Sequence, residues 1–121
     1  MPARWSLPGD HSAARAARRH VGEELAEWPQ VDDIELVASE LTTNAVRHGQ
    51  PPIHLALDLL DGTVRVTVSN LAGDGEPAVQ QSANDAGHGR GLSMVRALAD
   101  DWGWSREGDR LHVWADFTPQ N

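Results

Sequence analysis

The chain contains no cysteine, no lysine, one phenylalanine and no long apolar run. Without Cys it can form no disulfide and offer no thiolate nucleophile or thiolate metal ligand, which fits a reducing compartment. All ten cations are Arg, set against eighteen Asp and Glu, for a formal charge of −8 and a pI of about 5.0. A duplex-binding surface needs clustered cations to neutralise phosphates, and this balance argues against one. No apolar stretch approaches the roughly 18 residues of a membrane span. The opening "MPARWSLPGD" also lacks the apolar region of a signal peptide. The six His show no H-x-x-x-H or other zinc spacing, so no transition-metal site is expected. These absences predict a soluble, cytoplasmic protein with no membrane partner and no direct DNA binding.

What is present is periodicity. At 121 residues and 40% hydrophobic, the chain reads as a single domain over 1–121, with enough apolar content for a core and no internal repeat. After "PGD", Ala14, Ala17, Val21, Leu25 and Trp28 recur every three or four residues and predict a helix that Pro29 closes. Arg15, Arg18 and Arg19 on it read as a solvated face rather than a DNA-contacting arm, since Glu23 and Glu24 follow at once. A second helix is expected from "VDDIE", capped by Asp32 or Asp33, to Gly49, with Pro51 and Pro52 blocking continuation. "IHLALDL" alternates strictly, "DG" at 61–62 signals a hairpin, and Val64, Val66 and Val68 resume the alternation. Residues 71–86 are polar and carry Gly and Pro, which predicts a long loop of the kind that often serves as a lid. A third helix after "GHGRG" would bury Leu92, Val95, Leu98 and Ala99. Strands near 102–106 and 110–117 complete the set. The predicted class is α+β: a two-layer sandwich of a mixed, mostly antiparallel sheet packed by three helices.

Two short segments carry chemistry. In "SELTTNAVRHG", residues 39–49, Leu36, Glu40, Asn44 and His48 follow one i+4 ridge beside the apolar Val37, Leu41 and Ala45. A carboxylate and a carboxamide therefore stack at the margin of a buried stripe, either as a local hydrogen-bonded pair or as a site. In "GHGRGL", residues 87–92, alternate glycines precede a helix. Such a turn lets backbone N–H groups approach an anion at the helix N-terminus, and phosphate is the natural guest. Many glycine turns bind nothing, and the Lys-Ser/Thr pair of a P-loop is lacking here.

Together, in this order and over nearly the whole chain, the segments resemble the histidine-kinase-like ATPase (GHKL, or Bergerat) family. The nearest resemblance is to small actinobacterial relatives of the anti-sigma factor serine kinases. "ELTTNAVRHG" is similar to that family's N-box, "GHGRGL" to its second glycine box, and "LADDWGW…VWADF" to its C-terminal end. The resemblance implies ATP and Mg²⁺ as cofactors. Asn44 would be the Mg²⁺ ligand and Glu40 the general base, roles their chemistry allows because Mg²⁺ prefers a few hard protein oxygens beside phosphate and water. Gly87, Gly89 and Gly91, with Arg90 and Leu92 of the same box, match the phosphate-embracing turn. Arg47 and His48 extend the N-box helix toward phosphates or lid, or are simply solvated. Residues 71–86 correspond to the ATP lid.

The sequence departs from the family at the adenine end. Asn70 stands where the family has an adenine-reading Asp, which removes a charge from that hydrogen bond. Asp74-Gly75 is a substitute lying several residues further on. His112 falls where a small Thr is usual beside adenine, and Arg110 where a Lys is usual. The implied function is an ATP-binding anti-sigma factor and protein-serine kinase that regulates transcription. Its implied partners are a sigma factor, an anti-anti-sigma antagonist, or both, with homodimers known among such proteins. The alternative is a non-catalytic regulator with a degenerate nucleotide pocket.

Overall fold

The computed structural model describes residues 2–72 and 90–119, the side chains of 90–92 excepted. In chain order the elements are β1 (Ala3–Leu7), α1 (Ala13–Glu24), α2 (Val31–His48), β2 (Gln50–Leu60), β3 (Thr63–Leu71), α3 (Arg90–Leu98), β4 (Asp101–Glu107) and β5 (Arg110–Phe117). The strands form one sheet in the order β1-β2-β3-β5-β4, and every pairing is antiparallel. The helices cover one face of it in an α+β sandwich. α1 lies toward β1, α2 over β2, β3 and β5, and α3 toward β4, so α2 has a helix on either flank.

Strand alternation decides which face is dry. Val64, Val66 and Val68 of β3 pair with Phe117, Ala115 and Val113 of β5, and all six are buried. Ile53, Leu55 and Leu57 of β2 continue the same surface. Against it α2 sets Ile34, Val37, Leu41 and Ala45, α1 sets Ala13, Ala17 and Val21, and α3 contributes Val95. Phe117 is fully enclosed, and a Phe so placed is worth about 3–5 kcal/mol relative to Ala.

Several boundaries differ from the sequence expectation for physical reasons. β1 is an unanticipated fifth strand. Its apolar signal is little more than Trp5 and Leu7, and it forms because its backbone pairs with residues 53–57 of β2. α1 stops at Glu24, where the Leu25 N–H closes on the Val21 carbonyl. Residues 25–31 then turn through Trp28 N–H to Leu25 O and Val31 N–H to Trp28 O bonds. That turn starts α2 at Val31 with Gln30 in the capping position and no side-chain cap. Asp32 and Asp33 therefore do not cap; they lie in the first turn, where the helix dipole still favours them. Pro51 and Pro52 do follow the helix, but inside β2, where the register to β3 shifts between Gln50 and His54. The long loop was expected to begin at 71; instead Leu71 ends β3, and the Ala72 N–H bonds the Asp109 carbonyl. Residues 73–86 lie outside the described residues.

Candidate nucleotide site on the helix side of the sheet

The α2 helix brings Glu40 and Asn44 to one flank. Glu35, on the same helix, lies against α1: a Cβ added at Gly22 would sit 2.7 Å from the Glu35 Oε2. At about 100° per residue, Asn44 lies about 180° round the helix from Glu35, on the flank away from α1 and toward α3. Both Glu40 and Asn44 are half-buried, next to the fully buried Val37, Leu41 and Ala45. The margin position expected from the i+4 ridge is thus where the structure puts them. A carboxylate there is half-buried yet reachable from solvent, with the carboxamide one turn further along the helix.

The C-terminal end of α2 packs closely against the sheet at Asn70. Asn70 on β3 is 3% exposed and faces the helices, and its Nδ2 donates to the Leu71 carbonyl at 2.9 Å. Its carboxamide fills the space where Gly49 would carry a Cβ, which would also lie 2.9 Å from the Ala45 carbonyl. Gly49 adopts an extended backbone with φ −108°. Crowding against Asn70, rather than a left-handed conformation, is what requires glycine here. Asn44 lies five residues before Gly49, about 7.5 Å along the helix axis. Asn70 therefore lies under the C-terminal end of α2, a little over one turn beyond Asn44, while Glu40 is a further turn back near the middle of the helix.

The other expected site residues divide. α3 starts at Arg90, inside the "GHGRG" segment rather than after it, with Gly91 and Leu92 in its first turn. Gly75, Gly87 and Gly89 lie outside the described residues, as do the side chains of Arg90 and Leu92. His48 is exposed at the end of α2. Arg47 is also exposed, and with Asp10, His11 and Thr43 it lines a hollow of about 220 Å³ where α2 meets the start of α1. Beside that hollow, hydrogen bonds from the Ser12 hydroxyl and N–H hold the Asp10 carboxyl below its usual pKa.

His112 does not share the face that carries Asn70. Its register partner on β3 is Ser69, whereas Asn70 pairs with Leu111. Successive strand residues point to opposite faces. His112 therefore projects from the outer face of the sheet, near His54, Ser69 and Arg110, while buried Leu111 occupies the helix side opposite Asn70. The alternation of Leu111, Val113, Ala115 and Phe117 was the signal in the sequence that could have shown this.

The donor set suits Mg·ATP. Asn44 and Glu40 supply hard oxygens, and Asn70 keeps a carboxamide oxygen able to accept from an amino group. Among the described residues no group of three or more His, Cys, Asp or Glu could hold a metal alone. A cation beside Asn44 would complete its shell with phosphate and water, as Mg²⁺ commonly does.

A two-layer sandwich with an acid–amide pair on its central helix and a glycine-led third helix belongs to a recognisable class of ATP-directed domains. The sequence agrees: residues 6–117 match the family model of the histidine kinase-like ATPase domain, and the chain belongs to that family. Among solved structures it is similar to the RsbU and RsbW domains of Rv1364c from Mycobacterium tuberculosis, with 26% identity and a TM-score of 0.72. That match covers 98% of this chain but 32% of the other, so this chain spans about a third of its length. The Acinetobacter baumannii histidine kinase AdeS shares the fold at 12% identity and a TM-score of 0.60, covering 98% of this chain and 68% of that one. A chain of the SiaB–SiaC complex from Pseudomonas aeruginosa does so at 15% identity and 0.52, covering 95% and 88%. No functionally curated protein matches the chain. No described helix is long and apolar enough to cross a membrane.

Proposed function

We propose that this protein is an Mg·ATP-dependent regulatory switch of the anti-sigma factor kinase type. In this reading it binds a sigma factor and phosphorylates a serine on an anti-anti-sigma antagonist. The observation that carries it is the Glu40–Asn44 pair, one turn apart and half-buried on the α2 flank away from α1. The likeness to a chain bearing an RsbW domain supports this choice over the family's other functions. When bound, Mg·ATP supplies the phosphoryl group and the charge neutralisation that its transfer needs.

The chain's own residues would do the rest. Asn44 offers its side-chain oxygen to the cation. Glu40 takes the proton from the attacking serine hydroxyl, and its partial burial strengthens that interaction. Asn70 accepts from the adenine amino group through a neutral oxygen, a weaker bond than a carboxylate would make, by about 1–2 kcal/mol. The added phosphate would then alter the antagonist's affinity through charge.

Calorimetry with Mg·ATP, followed by incubation with the antagonist and mass spectrometry for phosphoserine, tests this. Saturable binding and transfer that Glu40→Ala abolishes are expected. Binding without transfer would leave an ATP-gated adaptor, and no binding at millimolar Mg·ATP would leave a non-catalytic partner-binding module.

A further inference from the structure

The outer face of the sheet holds a hollow that the nucleotide reading does not use. It has a volume of about 430 Å³ and lies over Ala56, Thr67 and Ser69. These small residues of β2 and β3 form a floor, and longer side chains from β1, β2 and β5 form the walls. The walls are cationic or protonatable: Arg4, His54, Arg110 and His112. No carboxylate is among the lining residues, in a chain whose formal charge is −8. The outer-face acids Asp58, Asp101 and Asp116 instead surround Arg65, two register positions away, where Arg65 makes two bonds to Asp116 at 2.7 and 2.9 Å. Glu107 stands at the rim, 81% exposed and 3.1 Å from the His112 Nε2. That is ion-pair distance without hydrogen-bond alignment, and the Nε2 is otherwise buried and without a partner.

The two arginines are prepared differently. Arg110 is held by neutral groups only: its Nη2 donates to the Pro52 carbonyl at 2.8 Å and the Ser69 Oγ at 3.1 Å, and meets the His54 Nδ1 at 3.3 Å. Its charge is thus oriented without being neutralised among the described residues. Arg4 is exposed and has no hydrogen bond or ion pair among the described residues. Burial, and then the Arg110 charge, push the His54 imidazole below its ordinary pKa, as expected in a positive field. Two permanent cations and two imidazoles match a dianion better than a single carboxylate, and guanidinium forks suit phosphate oxygens. The volume lies within the usual range for small-molecule sites and leaves room for an organic group over the Ala56 and Thr67 floor.

We propose that this hollow is a second binding site, separate from the nucleotide site, for a phosphate-bearing small molecule held by Arg4, Arg110, His54 and His112. The phosphate group is the recognised chemistry, and it could arrive as a phosphomonoester or as free phosphate. The full chain would be titrated with ribose 5-phosphate, inorganic phosphate and plain ribose, following the imidazole resonances of His54 and His112, with and without Mg·ATP. Saturable shifts of both imidazoles with the two phosphates and not with ribose are expected. The His54 midpoint should rise as a dianion offsets Arg110, Arg4 and His112 around it. Tighter binding of the ester marks a phosphomonoester ligand, whereas equal binding marks phosphate itself. Arg4→Gln should weaken binding about tenfold or more. Because Arg4 is exposed and makes no bond among the described residues, its loss should not disturb the fold. Asn44→Ala should leave the phosphate titration unchanged, so this site can stand or fall independently of ATP binding. Non-saturating shifts, equal shifts with ribose, an unchanged Arg4→Gln, or a response lost in Asn44→Ala would each overturn the proposal.

Discussion

The two faces of the sheet are built from the same strands and have opposite characters. On the helix side, alternate residues of β3 and β5 are Val and other apolar groups, buried to completion until β3 reaches Asn70. On the outer side, a polar row crosses all five strands in register: Ser6, His54, Ser69, His112 and Ser105. The helix side is a dry wall that ends in one buried carboxamide at the proposed ATP site. The outer side is wet, charged and hollowed where small residues meet. A single step along a strand separates the two chemistries. This is why His112, one residue from Leu111, belongs to the second face and not the first.

The largest effect that would sharpen this contrast is on phosphoryl transfer. Glu40→Gln should lower the rate of phosphoserine formation by about 10²–10⁴-fold, the usual contribution of a general base, with Mg·ATP affinity retained by calorimetry. Arg4→Gln on the outer face should leave that rate unchanged. A Glu40→Gln protein that transfers normally would remove the functional distinction between the faces.

The next effect concerns how α2 is anchored. Gly49→Ala drives a Cβ into the Asn70 carboxamide, and overpacking of this kind costs about 1–3 kcal/mol. Adding Asn70→Ala should return part of the loss, a non-additivity readable in denaturant melts.

Asn70→Asp should then separate two roles of one residue. The carboxylate cannot donate to the Leu71 carbonyl as the amide does, and losing a buried partner costs about 1–2 kcal/mol of stability. In the proposed ATP site the same change would supply a charged acceptor for adenine, so Mg·ATP affinity should rise by up to about tenfold. A lower melting temperature with tighter nucleotide binding is the expected pair of results.

The smallest effect is the pH response of the outer face. His54 has a lowered pKa in the fold, so the unfolded chain binds its proton more readily. Its contribution to stability is intact above about pH 6.5, the ordinary imidazole value, and is lost as pH falls toward the lower folded value. His54→Gln should flatten the stability-against-pH curve in that window, measured by thermal melts from pH 7.5 down to 5.

Much of this was written in the chain's periodicity. The i+4 ridge of Leu36, Glu40, Asn44 and His48 and the alternation in β2, β3 and β5 are local patterns. They specified three helices, four of the strands and the half-buried setting of Glu40 and Asn44 before any contact was known. β1 was not legible, because Trp5 and Leu7 give too little alternation and the strand depends on backbone pairing with β2. The reason for Gly49 was hidden as well, since the group that crowds it, Asn70, is 21 residues away in sequence. The sequence by itself determined which segments are helix or strand and which residue types could carry phosphate chemistry, because periodicity and chemistry are properties of neighbours. Only the tertiary structure decided that Asn70 sits under the end of α2, and that Arg4, His54, Arg110 and His112 share one hollow. Those residues come from three strands far apart in the sequence, β1, β2 and β5, and register brings their side chains together.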